Sequence, residues 1–223
     1  MFTGIIQAVG AIASLERRGG DMRLGIRTGS LPMADVAIGD SIAVSGVCLT
    51  VVELGDGGFR ADVSGETLRR TILGALAVEA PVNLEKALTL ATPLGGHLVS
   101  GHVDGTGTVV ARREDSRSVQ FTIQAPAELA RYIAAKGSIC VDGVSLTVNE
   151  VDGAGFDVNI VPHTLAGTTI NTCRPGSQVN LEVDLIARYL ERLYLADQAA
   201  HPGPGGAITR EMLEAGGFMD RNR

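Results

Sequence analysis

The sequence predicts an all-β chain made of two tandem copies of a small closed barrel. Three observations carry this. SIAVSGVCLTV at 41–51 returns as SICVDGVSLTV at 138–148. The 29 glycines are scattered between short Val, Ile and Leu runs in a chain of 223 residues, a pattern of short strands and many turns. Each copy packs five or six such runs into fewer than 100 residues, and closing so small a sheet removes its exposed edges.

The copies stand 97 residues apart. From Ser41 to Leu54 against Ser138 to Val151, nine of fourteen residues are identical, where chance gives roughly one in fifteen. The same shift aligns Gly4 with Gly101, Gly10 with Gly107 and Phe59 with Phe156. It also aligns Thr67-Leu68 with Thr164-Leu165, Thr71 with Thr168, and VNLE at 82–85 with VNLE at 179–182. One ungapped shift from Gly4 to Glu85 marks a duplication. The period exceeds the roughly 20–50 residues of a solenoid unit, so each copy is domain-sized.

Within the first copy, Ile5–Ile12 is apolar with glycine punctuation and Met22–Ile26 alternates. Ser41–Val44 and Cys48–Glu53 flank the turn Ser45-Gly46, Gly58–Val63 alternates again, and Val82–Lys86 closes the copy. Short helical pieces are expected near Ser30–Val36, Thr67–Leu73 and Ala127–Ala135, with Pro126 suited to the start of the last. The expected domains are 1–97 and 98–183, a helix over 184–200, and a linker and tail over 201–223. In the helix, Leu185, Ile186, Tyr189, Leu190 and Leu193 recur at helical spacing behind Asp184, a possible cap. It either packs on its own barrel or joins subunits; its apolar stripe favours the second. HPGPGG at 201–206 reads as a linker, and Ile208–Gly216 as a last short helix.

Composition narrows the function. The net charge is -6 with no basic block, which argues against nucleic acid as a partner. MFTGII lacks the basic start and apolar core of a secretory signal, and no apolar run approaches a bilayer span. Cys48, Cys140 and Cys173 are too few and too spread for a disulfide framework or a zinc site. A cytoplasmic protein with free thiols is expected. There is no GxGxxG, no GxxxxGK[ST] and no GxSxG, so phosphate loops and a hydrolase elbow have no support.

The polar positions near the repeated turn are the candidates for chemistry. Cys48 lies in an apolar strand, where a cysteine is usually an inert small hydrophobe. Its equivalent Ser145 carries a hydroxyl at the same place, and the pair is more informative than either alone. His97 and His102 flank GGHLVSGH at the junction of the copies. They are a weak metal signal, and no metal is expected. Glycines there bring backbone close to a ligand, to which His102 can offer a donor or acceptor. Thr50 and Thr147, and Thr67 and Thr164, are paired hydroxyls, although threonine is also simply a good strand residue. Lys136 replaces Gly39, giving the second copy a cation that the first lacks.

Together MFTGII, GVCLTV, LGGHLVSGHVDG, KGSICVDGVSLTV and VPHTLAGTT resemble the riboflavin synthase family from Met1 to about Val183. The resemblance implies two six-stranded Greek-key barrels, each binding one lumazine, and a homotrimer held by the trailing helices. The implied reaction is a dismutation of two 6,7-dimethyl-8-ribityllumazine molecules that consumes no metal, flavin or nicotinamide. It implies an active site between the first barrel of one subunit and the second barrel of its neighbour, and possible association with lumazine synthase. Family ligand-binding stretches fall on Gly4, Ile5 and Ile6, on Cys48, Leu49 and Thr50, and on Asp62, Val63, Ser64, Gly65, Glu66 and Thr67. In the second copy they fall on Gly101, His102 and Val103, on Lys136, and on Ser145, Leu146 and Thr147. The last stretch is Val161, Pro162, His163, Thr164, Leu165 and Ala166. Asp62, Glu66, His163 and the threonines become candidates for the ribityl hydroxyls. Cys48, His102, Ser145 and Asp184 become the catalytic candidates, with Ser145 backed by Asp184 on one lumazine and Cys48 with His102 on the other. The sequence departs from the family at Ser45, where asparagine is commoner, at Ser64-Gly65, and in a longer tail after Ala200.

Overall fold

The computed structural model describes residues 1–55 and 57–195. Twelve strands form two closed antiparallel barrels. The first holds β1 (Ala8–Arg18), β2 (Asp21–Arg27), β3 (Ser41–Val44), β4 (Val47–Gly55), β5 (Gly58–Val63) and β6 (Pro81–Lys86). The second holds β7 (Gly105–Asp115), β8 (Ser118–Gln124), β9 (Ser138–Val141), β10 (Val144–Asp152), β11 (Gly155–Ile160) and β12 (Gln178–Val183). The order around the first is β1-β2-β5-β4-β3-β6, and the second repeats it with each number raised by six. This is the six-stranded Greek-key barrel, twice.

Alternation builds the cores. In β5 every second residue is buried, and β11 repeats the pattern. Ile12, Leu24, Ile26, Ile42, Phe59 and Leu84 fill the first barrel, and Val109, Phe121, Ile123, Ile139, Phe156 and Leu181 take the equivalent places in the second. Bulges fall at equivalent points of β1 and β7, and of β4 and β10, which bends these long strands around the corner of each barrel.

The helical expectations need adjustment. Thr67–Leu73 falls on α1 (Gly65–Arg70) and a 3-10 turn over Ile72–Ala75. Ala127–Tyr132 is a 3-10 turn after Pro126. Ser30–Val36 is no helix; Leu31 and Val36 each close a turn on the residue three before, and Pro32 has no N–H to continue one. A further helix, α2 (Pro162–Gly167), carries most of the Val161–Ala166 stretch. Pro162 at its start supplies the fixed φ that opens it. Helix α3 (Leu185–Leu195) follows β12 and buries none of its residues. The rest of the expected 184–200 helix, the linker and the tail helix lie outside the described residues. Met1–Arg188 forms one compact unit that contains both barrels, and a second unit begins at Tyr189.

Polar contacts join the barrels in matched pairs. Asn83 Nδ2 donates to the Asp142 carbonyl and Asn180 Nδ2 to the Ser45 carbonyl, both at 2.8 Å. Their carbonyl oxygens accept from the backbone of Thr169 and Ile72, also at 2.8 Å. These asparagines are the N of the repeated VNLE, and each is essentially fully buried. Full satisfaction of their amides is what makes such burial tolerable.

Candidate functional site

The repeated turn places one thiol or hydroxyl side chain per barrel. Ser45 and Asp142 take left-handed backbone, each followed by a glycine of the same hand, so β3 turns tightly into β4 and β9 into β10. Cys48 and Ser145 follow the turns, and both are half-buried.

Each turn is completed by a chain segment from the other copy. The Ser145 amide donates to the Gly4 carbonyl at 2.8 Å, and the Cys48 amide to the Gly101 carbonyl at 2.8 Å. The segment that leads into each copy therefore meets the turn of the other copy. Gly4–Ile6 serves the second barrel, and Gly101–Val103 serves the first. The reason is local. Phe2 and Val99 exchange backbone hydrogen bonds, which ties the two segments side by side and directs each to the opposite turn. The approach is close enough to demand glycine. A Cβ on Gly4 would lie 2.5 Å from Ser145 Cβ, one on Gly101 would lie 2.6 Å from Cys48 Cβ, and both residues have positive φ.

Two buried glutamates hold the exchanged segments. Glu85 Oε1 accepts from the Thr3 amide (2.6 Å) and hydroxyl (2.7 Å), and Oε2 from the Gly4 amide (3.0 Å). Glu182 repeats this with the Ser100 amide and hydroxyl and the Gly101 amide, at 2.6, 2.7 and 3.0 Å. Burial raises the Glu85 pKa, and the bonds from Thr3 and Gly4 pull against that rise. The repeated E of VNLE pointed to these residues; their role needed the fold.

At the first turn a cavity of about 400 Å³ is lined by Cys48, Glu66, Thr67, Arg70, Gly101, His102 and Val103, among others. This groups three of the expected stretches. Asp62 sits outside that lining and is held by Arg23 at 2.6 and 2.7 Å, which lowers its pKa. Glu66 is paired with Arg69 and Arg70.

At the second turn Ser145 meets a residue absent from the expected catalytic set. His97 Nδ1 lies 2.6 Å from Ser145 Oγ. Burial lowers the His97 pKa, against the opposing charges of Asp184 and Glu182, so the ring is neutral near pH 7 and can accept a proton. His97 lies outside the stretch that the 97-residue shift compares, so only its place in GGHLVSGH marked it. Among the described residues Asp184 makes no hydrogen bond to Ser145. Its Oδ1 accepts from the Ile186 amide at 2.9 Å, the capping role the sequence offered, and its charge reaches His97. Lys136 is exposed and has positive φ, with its amide on the Val148 carbonyl at 2.7 Å, as Gly39 sits on Val51 in the first copy. His163 and Val161 are exposed at the start of α2. Burial pushes the Cys140 thiol well up and the Cys173 thiol to about 12, which leaves both inert. No cluster of metal-ligating side chains occurs among the described residues.

Known proteins share the duplicated fold. The lumazine binding domain model matches twice, over residues 3–87 and 100–184. Riboflavin synthase of Photobacterium phosphoreum is 47% identical over 219 residues, covering 98% of this chain and 100% of that protein. Riboflavin synthase of Mycobacterium bovis is 49% identical over 197 residues, covering 86% of this chain and 98% of the relative. Among solved structures, LumP complexed with riboflavin superposes with a TM-score of 0.75 at 27% identity, covering 82% of this chain and 99% of that one. LumP complexed with 6,7-dimethyl-8-(1'-D-ribityl) lumazine gives 0.73 at the same identity and coverage. With both barrels matched and identity sustained along nearly the whole length, this chain belongs to the riboflavin synthase family of duplicated lumazine-binding domains.

Proposed function

We propose that the two turns divide one reaction between them. The chain is a transferase of riboflavin biosynthesis. It dismutates two 6,7-dimethyl-8-ribityllumazine molecules into riboflavin and 5-amino-6-(ribitylamino)pyrimidinedione by moving a four-carbon unit. The observation that carries the division is the pair of turns, equal in backbone and unequal in side chain, with neutral His97 beside Ser145 alone.

Each pocket takes one lumazine. Backbone groups of the 4–6 and 145–147 segments meet the ring in one, and those of 48–50 and 101–103 in the other. Residues 62–67 and 161–166, with Lys136, reach the ribityl chains. Ser145 gives its proton to His97 Nδ1 as its oxygen, or a water it holds, adds to the acceptor ring. Asp184 stabilises the imidazolium through its charge and so acts as a positioning residue. Cys48 and His102 assist loss of the acidic proton from the 7-methyl group of the other lumazine. Proton transfer of this kind contributes about 10²–10⁴-fold. Holding two substrates in one geometry contributes more, because an encounter becomes effectively unimolecular.

Assembly belongs to the same proposal. Ile186, Tyr189, Leu190, Leu193 and Tyr194 are 60–89% exposed on α3, a stripe suited to a homotrimer. Residues 1–97 and 98–183 are read as the two lumazine-binding units, 184–200 as the assembly helix, and 201–223 as a tail. The active site then lies between the first barrel of one subunit and the second of its neighbour. The protein is read as cytoplasmic, with lumazine synthase as a further partner; no helix among the described residues is long and apolar enough to cross a membrane. Purified protein incubated with the lumazine is expected to form riboflavin. Tight binding without product would replace the enzyme with a pigment-binding protein. Truncation after Ile186 is expected to abolish trimers in sedimentation, and trimers that persist would remove α3 as the assembly element.

A further inference from the structure

The two pockets differ in charge beside their first helices. In the first, Glu66 and Arg70 of α1 line the cavity with Cys48, Gly101 and His102. The 97-residue shift carries Glu66 to His163, Arg69 to Ala166 and Arg70 to Gly167. The equivalent place in the second copy therefore holds no guanidinium.

Arg70 is held by one edge. Its Nε donates to Glu66 Oε1 at 2.9 Å, and Arg69 Nη2 donates to Glu66 Oε2 at 2.7 Å. The terminal nitrogens of Arg70 make no hydrogen bond among the described residues. Glu66 thus fixes two guanidiniums, the other carboxylate lining the cavity, Asp104, is paired with Arg188, and Glu128 acts on Arg70 only as a weaker charge. A guanidinium anchored through Nε keeps its fork free for the paired oxygens of a phosphate.

We propose that Arg70 makes the first pocket select a ribityl ligand whose chain ends in a phosphate monoester, the flavin mononucleotide class, and that the second pocket lacks this preference. The proposal rests on the reading of the cavity as a lumazine and flavin pocket. A phosphorylated descendant of the product would then occupy the first pocket in competition with substrate.

The test is fluorescence titration of the full chain with riboflavin and with flavin mononucleotide, each with and without inorganic phosphate. Flavin mononucleotide is expected to bind one site about tenfold more tightly than riboflavin in low salt, and only about two- to threefold more tightly in 0.5 M salt. Arg70→Gln is expected to bring the ratio to about one. Arg70→Lys, which keeps the charge without the fork, should fall between. Gly167→Arg should raise the number of phosphate-selective sites from one to two. Inorganic phosphate that weakens only the nucleotide supports an anion subsite. Equal affinities in the unaltered chain, or a preference that survives Arg70→Gln, overturn the proposal while leaving the pocket reading intact. If neither flavin binds, both fall.

Discussion

The turn at Cys48 and the turn at Ser145 share backbone hand, hydrogen-bond pattern and an incoming glycine carbonyl. They differ in what stands beside them. Ser145 has His97 at 2.6 Å; Cys48 has His102 and the Glu66–Arg70 pair in one cavity. Beneath the turns, Ser45 Oγ accepts from the Asn83 amide at 3.3 Å, and Asp142 Oδ1 from the Asn180 amide at 2.7 Å. The lesson is that duplication preserved the scaffold to within a hydrogen bond and left the chemistry free to diverge. A dismutation requires that freedom, because its two substrates begin alike and end differently.

The largest expected effect comes from attacking what the turns share. Gly4→Ala or Gly101→Ala forces a methyl into the opposite turn and a side chain into left-handed backbone. Each is expected to cost about 2–4 kcal/mol in denaturant unfolding and to remove activity; a change below about 0.5 kcal/mol would show that the segments yield. Next come the differences. Ser145→Ala and His97→Asn are each expected to lower kcat by about 10²–10³-fold, with little further loss when combined, since the two act as a unit. Cys48→Ser, which makes the turns alike, should lower turnover more than binding and by less than Ser145→Ala. Unchanged turnover would end the chemical role of Cys48.

Asp142→Ser gives the second copy the side chain of the first. Burial raises the Asp142 pKa from 3.8 to about 7. A folded-state value above the unfolded one means that its contribution is full below about pH 4 and is lost as pH rises through about 7. The substitution is expected to remove a downward slope of at most about 1.4 kcal/mol per pH unit across that window, measured by urea unfolding at several pH values. An unchanged slope would assign it to other groups. The smallest effect concerns Arg112, which stands over the Phe121 ring where the first copy has Leu15. Its Nε is buried with no partner among the described residues, so Arg112→Leu should stabilise by about 1 kcal/mol. A loss of stability would mean that the ring contact and the Glu114 pair outweigh that unpartnered group.

Much of this was legible in the residues. The 97-residue shift placed both barrels, the turn Ser45-Gly46 placed β3, and alternation placed β5, both at their observed ends. What escaped had physical causes. A shift reports which residues are equivalent, not which copy they touch, so the crossing of Gly4 and Gly101 stayed hidden. His97 has no counterpart under the shift. Helix α2 is only six residues long, too short for a helical period to show. The pairing of Asp62 with Arg23 spans 39 residues and joins neighbouring strands, so no local spacing marks it.

The crossed segments also bear on how such a chain arose. One copy by itself would offer its Gly4 carbonyl to no turn, and the amide after its own turn would go unanswered. Two such single copies could satisfy both needs by trading their leading residues across a twofold axis, as domain-swapped dimers do. Fusing the pair end to end would keep every bond of that exchange. It would also free each turn to change without its twin.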